Sequence, residues 1–192
     1  MRPTSDEVAS NEKFGKIYTG PRDLVSGGTW IYYTEEYMVC ILNGAYQKHH
    51  HNPPYRKSRG LVVLDFLKYD SIDEFVNSVV LEGVEPFTMI MIHRKTGEKK
   101  ILVWNEEKKF LEDHSGEELI VRSSSTLYDE DEKAFHQKEI LHLNPKTPEN
   151  LRAWHHRARM LPNSKFPMVQ TTSITQIIQS DTTIKLKFCP IP

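Results

Sequence analysis

Thr29-Trp30-Ile31-Tyr32-Tyr33-Thr34, then Glu35-Glu36, then Tyr37-Met38-Val39-Cys40-Ile41-Leu42 is the stretch whose reading decides the fold. Aromatic and β-branched side chains crowd both runs, and only two acidic residues separate them. Such residues suit a pleated, half-buried surface, and so short a break is hairpin length. The stretch reads as an antiparallel hairpin. Upstream, residues 1–25 are polar and interrupted by Pro3, Gly15, Gly20 and Pro21, so an irregular N-terminal segment is expected, with order starting at Ser26-Gly27-Gly28.

Downstream, Asn43-Gly44 opens a loop that runs through His49-His50-His51 to Pro53-Pro54. Leu61 to Tyr69 reads as a buried helix. Ser71-Ile72-Asp73-Glu74 has the form of a capping box, followed by a helix with Ile72, Phe75, Val76, Val79 and Val80 on one face. Phe87 to His93 and Lys100 to Trp104 form a second hairpin across Lys95-Thr96-Gly97-Glu98, and Glu118 to Arg122 is a further strand candidate. Asp129 to Leu143 reads as helix, and Thr147-Pro148 starts another. Met168 to Ile178 and Thr183 to Phe188 make a third hairpin. Hairpins separated by helical pairs predict an α+β domain, antiparallel sheet with helices packed on it. One domain over residues 26–192 is expected.

Composition bounds the function. With 38% hydrophobic and 27% charged residues the chain is an ordinary globular protein, and its net charge of -1 draws it to neither nucleic acid nor membrane. The longest apolar runs are too short to span a bilayer. Met1 to Asn11 is polar, without the apolar stretch of a secretory leader, so a cytoplasmic location is expected. Of the two cysteines, Cys40 reads as a small buried hydrophobe and Cys189 as an inert or weakly exposed thiol.

None of the short motifs with a self-contained mechanism is present: no nucleophile elbow, zincin helix, paired-cysteine or phosphate-loop pattern. His49-His50-His51 invites a metal reading, but three consecutive histidines on extended chain cannot all turn to one ion, and no metal or other cofactor is expected. Arg56-Lys57-Ser58-Arg59 either decorates a loop or turns Arg56 or Arg59 into a cavity to hold a carboxylate.

Five segments follow one another in a telling order: Gly27-Gly28-Thr29-Trp30-Ile31; Val39-Cys40-Ile41-Leu42-Asn43-Gly44; Tyr55-Arg56-Lys57-Ser58-Arg59-Gly60-Leu61-Val62; Glu85-Pro86-Phe87-Thr88; and Ser123-Ser124-Ser125-Thr126-Leu127-Tyr128. Together they resemble the NRDE family, also known as the transport and Golgi organisation protein two family, over about residues 22 to 188. The resemblance implies the Ntn-hydrolase architecture, an αββα sandwich of antiparallel sheets. It further implies hydrolysis of a non-peptide amide by an N-terminal cysteine whose own α-amino group is the base.

Family members begin Met-Cys and show an Asn-Arg-Asp-Glu signature, whereas this chain begins Met1-Arg2-Pro3-Thr4. On the resemblance, the N-terminal strand with its nucleophile is missing and the chain as given is inactive. A lost strand would leave a sheet edge free to form a homodimer. Residue by residue, Asn43 matches an asparagine that helps form an oxyanion hole, although Asn-Gly is also a plain turn signal. Ser124 and Ser125 stand where many relatives have Ser-Asn, and with Arg56 and Arg59 they are the substrate-binding candidates. Trp30 is expected in the core. The ligand is then a small-molecule amide. The alternative is a non-enzymatic haem or lipid binding or trafficking protein holding an apolar ligand, as the eukaryotic relatives suggest, with His49 to His51 as axial-ligand candidates.

Overall fold

The structure is a computed structural model that describes residues 8–158 and 171–191. By its internal contacts the chain divides into two compact units, Met1–Ile120 with Ser124–Thr126, and Val121–Ser123 with Leu127–Pro192.

The first unit is built on a seven-stranded antiparallel sheet whose spatial order follows the chain. Its strands are β1 (Ala9–Lys13), β2 (Lys16–Gly20), β3 (Ile31–Tyr33), β4 (Tyr37–Asn43), β5 (Phe87–His93), β6 (Lys99–Trp104) and β7 (Lys109–Asp113). The decisive hairpin is β3–β4, and β4 pairs with β5 along its full length, from Tyr37↔His93 to Asn43↔Phe87. Between β4 and β5 the chain forms α1 (Arg59–Asp65), a 3-10 turn (Phe66–Lys68) and α2 (Ile72–Ser78). The core joins Val39, Met89, Met91, Leu102 and Trp104 of the sheet to Val62, Val63, Phe66, Leu67, Ile72 and Phe75 of the helices. The α+β class with antiparallel sheet is what the hairpin pattern predicts.

Three local expectations are corrected. Residues 9–20 are not irregular; they form the β1–β2 hairpin, turned by Phe14 and Gly15 at positive φ (54° and 75°). The polar sequence of β1 conceals it, because that edge strand contributes nothing to the core while Tyr18 of β2 is buried. Glu118 to Arg122 is not a strand. Strand β7 was missed instead, since Lys109 to Asp113 has too little apolar alternation to signal one. The third concerns α2. Ser71 Oγ accepts from Glu74 N at 3.1 Å as expected, but the Glu74 carboxylate returns to Asp70 N at 3.0 Å rather than to Ser71. The helix stops at Ser78, leaving Val79 buried and Val80 exposed.

The second unit holds α3 (Glu130–His142), α4 (Pro148–Ala158) and the hairpin β8 (Ser173–Gln179) with β9 (Ile184–Pro190). Asp129 and Glu132 complete a reciprocal capping box at the start of α3. Trp154 of α4 is buried against the edge of His136, and Gln176 Nε2 donates to Pro148 O at 2.7 Å. Residues 168–170 of the expected third hairpin lie outside the described residues. No helix among the described residues is long and apolar enough to cross a membrane.

Candidate functional site

The end of β4 is fixed from three sides. Gly44, at φ +88°, ends the strand, and its N–H donates to Pro86 O at 2.9 Å while its carbonyl accepts from Thr88 Oγ1 at 2.9 Å. Ser124 donates its hydroxyl to Asn43 O at 2.7 Å, and the buried Ser125 donates to Gln47 O at 3.2 Å. A side chain at Gly44 would overlap Ser125 Oγ, so the close approach and the positive φ both require glycine. The Asn-Gly turn and the candidate functional asparagine are therefore one feature.

A second junction lies alongside. Thr29 N donates to Gly60 O at 3.1 Å, and a Cβ on Gly28 would overlap the Gly60 carbonyl. The Gly27-Gly28-Thr29-Trp30 segment thus packs directly on the first turn of α1, with Ser58 capping that helix by accepting from Leu61 N.

Between these junctions opens a cavity of about 540 Å³, with Asp23, Trp30, Ile41, Asn43, His51, Tyr55, Lys57, Arg59 and Glu85 in its wall. Trp30 is half-buried and lines the cavity, where the sequence placed it in the core. Asp23 accepts from Val25 N and Ser26 N at 2.9 and 3.1 Å, which holds the loop before β3 in shape.

Glu85 organises the charged side of the wall. One of its oxygens meets Arg59 at 3.0 Å; the other takes His49 Nε2 at 3.1 Å and His51 Nδ1 at 3.0 Å. Burial works to raise the Glu85 pKa, yet the hydrogen bonds from His51 and His49 and the charge of Arg59 carry it below the usual glutamate value. Arg59 also donates to Pro86 O at 3.3 Å, and Lys57 is paired with Asp65, which meets Lys68 at 2.8 Å. Each cation in the wall therefore has an acidic partner.

The candidates separate on this geometry. Asn43 and Arg59 line the cavity, Ser124 and Ser125 buttress it from behind, and Arg56 is turned away. The Arg56 guanidinium clamps Glu82 O at 2.8 Å and Val80 O at 2.7 Å, tying its loop to the chain before β5. The triple histidine divides by parity, as extended chain demands. His49 and His51, two apart, share Glu85, and His50 is exposed. Glu85 was missed as a site residue, although that His-x-His spacing on extended chain was the signal for a shared partner. Among the described residues no group of histidine, cysteine or carboxylate side chains is arranged to hold a metal ion.

A model of the Transport and Golgi organisation 2 family matches residues 1–186, a range that takes in the first hairpin together with the five segments quoted above. The chain belongs to that family. No curated protein sequence matches it. Four of the five segments that carry the family resemblance meet at the cavity of this Transport and Golgi organisation 2 member: Gly28 to Trp30, Asn43-Gly44, Tyr55 to Gly60 and Glu85. The fifth, through Ser124 and Ser125, supports Asn43 and the loop after it. Chemically, the wall offers a side-chain amide, a flat indole and paired charges.

Proposed function

We propose that the cavity at the end of β4 is the substrate pocket of an Ntn-type hydrolase acting on non-peptide amides, with Asn43 directing its side-chain amide at the substrate carbonyl. The observation that carries this reading is the placement of Asn43, whose backbone is fixed by Ser124 and Gly44 while its side chain lines the cavity. A preorganised amide donor in that position stabilises a developing oxyanion by about 3 kcal/mol in comparable sites. The pairwise charge balance of Lys57 with Asp65 and of Arg59 with Glu85 supports an uncharged amide over an anionic ligand.

Neither cysteine of this chain suits the nucleophile. Burial pushes the Cys40 thiol up to about 11, and Cys189 is not among the residues that line the cavity. We assign nucleophile and base together to a cysteine whose own α-amino group takes the thiol proton, as in enzymes of this type. Haem or lipid handling is less well supported, because the wall is polar and His49 Nε2 is engaged by Glu85. The two thiols, both free, suit a reducing compartment, so we keep the cytoplasm as the location.

The test is hydrolysis of a panel of neutral N-acyl amides by the full-length cellular protein. Asn43→Ala is expected to lower kcat by roughly 100- to 1000-fold with little change in KM. Hydrolysis that is indifferent to Asn43→Ala contradicts the assignment.

A further inference from the structure

Strand β7 ends the seven-stranded sheet, and among the described residues no strand pairs with its outer side. Its inward-facing groups are identified by bonds at either end: Lys108 O accepts from Asn105 N, and His114 N donates to Lys99 O. In an antiparallel ladder such groups alternate, so Lys109, Leu111 and Asp113 direct their N–H and C=O groups outward. Within the strand, Leu111 is 41% exposed and Phe110, edge-to-face with Tyr46, is 38% exposed. An edge strand with unpaired N–H and C=O groups is a template for pairing with another chain.

The charged ends of β7 match each other about a two-fold axis at Leu111, with Phe110 set opposite Glu112 between them. With Leu111 opposite Leu111 of a second copy, Lys109 faces Asp113 and Asp113 faces Lys109. All three of these pairs fall at positions whose backbone groups already point outward, so every outward N–H and C=O finds a partner. The register therefore satisfies hydrogen bonding and charge together, as an isologous contact requires. Strand β1 at the other edge has no such match: about Asn11, Ala9 would face Lys13 and Ser10 would face Glu12.

We infer that this protein self-associates through β7, two copies pairing antiparallel about Leu111 to continue one sheet into the next. The occupant of the edge is a second copy of this chain. Lys109 Nζ donates to Val76 O at 2.7 Å, which directs that side chain along the helix-covered face and leaves the ammonium two further protons for the facing carboxylate. A five-residue strand pair is small for a stable interface, so the dimer is expected to dissociate in roughly the micromolar range or above.

Sedimentation velocity across a concentration series tests this. The chain is expected to move from 22.4 kDa toward twice that mass. Asp113→Lys, which sets like charges opposite each other twice by symmetry, should raise the dissociation constant at least about tenfold. Adding Lys109→Asp to Asp113→Lys restores complementarity in the same register and should recover most of the loss. Leu111→Pro, which deletes the central donor, should abolish the dimer, with circular dichroism checking that the fold is intact. A protein that stays monomeric at about 0.5 mM overturns the inference. So does a dimer that Asp113→Lys leaves unchanged, or one that the double exchange fails to rescue.

Discussion

Ser124 donates its hydroxyl to the carbonyl of Asn43 across 2.7 Å, although 81 residues of chain separate them. That bond joins two segments that look unrelated along the sequence and fixes the strand end on which the proposed site depends. Removing the donor leaves an exposed strand terminus with one fewer anchor. Ser124→Ala is expected to cost about 1 kcal/mol in urea unfolding and to loosen ligand binding at the cavity. No loss of stability would show that the bond does not anchor the turn.

Gly44 carries a heavier requirement. Its φ of +88° and the proximity of Ser125 Oγ act together, so Gly44→Ala meets both strain and overlap. Gly97 supplies the control, with φ +75° and open space around a built Cβ. Gly97→Ala should cost about 1 kcal/mol from backbone strain, and Gly44→Ala at least about 2 kcal/mol. Equal shifts in Tm for the two variants would remove the packing part of the argument.

The Glu85 hub sets a pH dependence. Its carboxyl is held below the ordinary value of 4.5 by the hydrogen bonds and charge that outweigh burial. A group whose folded pKa is depressed contributes stability that is fully present above the unfolded pKa and is lost as pH falls through the folded one. The wild type should therefore lose stability more steeply than Glu85→Gln as pH drops below about 4.5, by chemical denaturation at fixed ionic strength. Parallel acid limbs would mean that Glu85 gains nothing from His49, His51 and Arg59.

Cys40 lies in the middle of β4, opposite Ile90, where burial raises its thiol pKa to about 11. Little thiolate exists there at neutral pH, and the sheet limits access. Iodoacetamide at pH 8 should modify Cys40 only after unfolding. Rapid modification in the native state would reopen Cys40 as a reactive residue.

The parts of the fold that were legible in the sequence are those whose residues do the burying. The β3–β4 pattern, Phe87 to His93 and the Ser71 cap each predict their element because apolar periodicity and a capping hydroxyl act locally. Strands β1 and β7 escaped because edge strands make few core contacts, so nothing in Ala9 to Lys13 or Lys109 to Asp113 alternates visibly. Motif order singled out Asn43 and Arg59, which line the cavity, but it could not separate Arg56 from Arg59, because Arg56 turns to the carbonyls of Val80 and Glu82. Glu85 illustrates the limit: its role arises from three groups supplied by positions 49, 51 and 59, and no single segment encodes it.

The most direct measurement is a titration of the ¹⁵N-labelled chain with N-benzoylglycinamide, a neutral aromatic amide, followed by two-dimensional NMR. If the cavity is an amide pocket, the Asn43 side-chain amide, the Trp30 indole N–H and the Gly44 and Glu85 backbone amides shift together and saturate, and Asn43→Ala weakens the binding. Shifts confined to the second unit, or none up to the solubility limit of the probe, would contradict it.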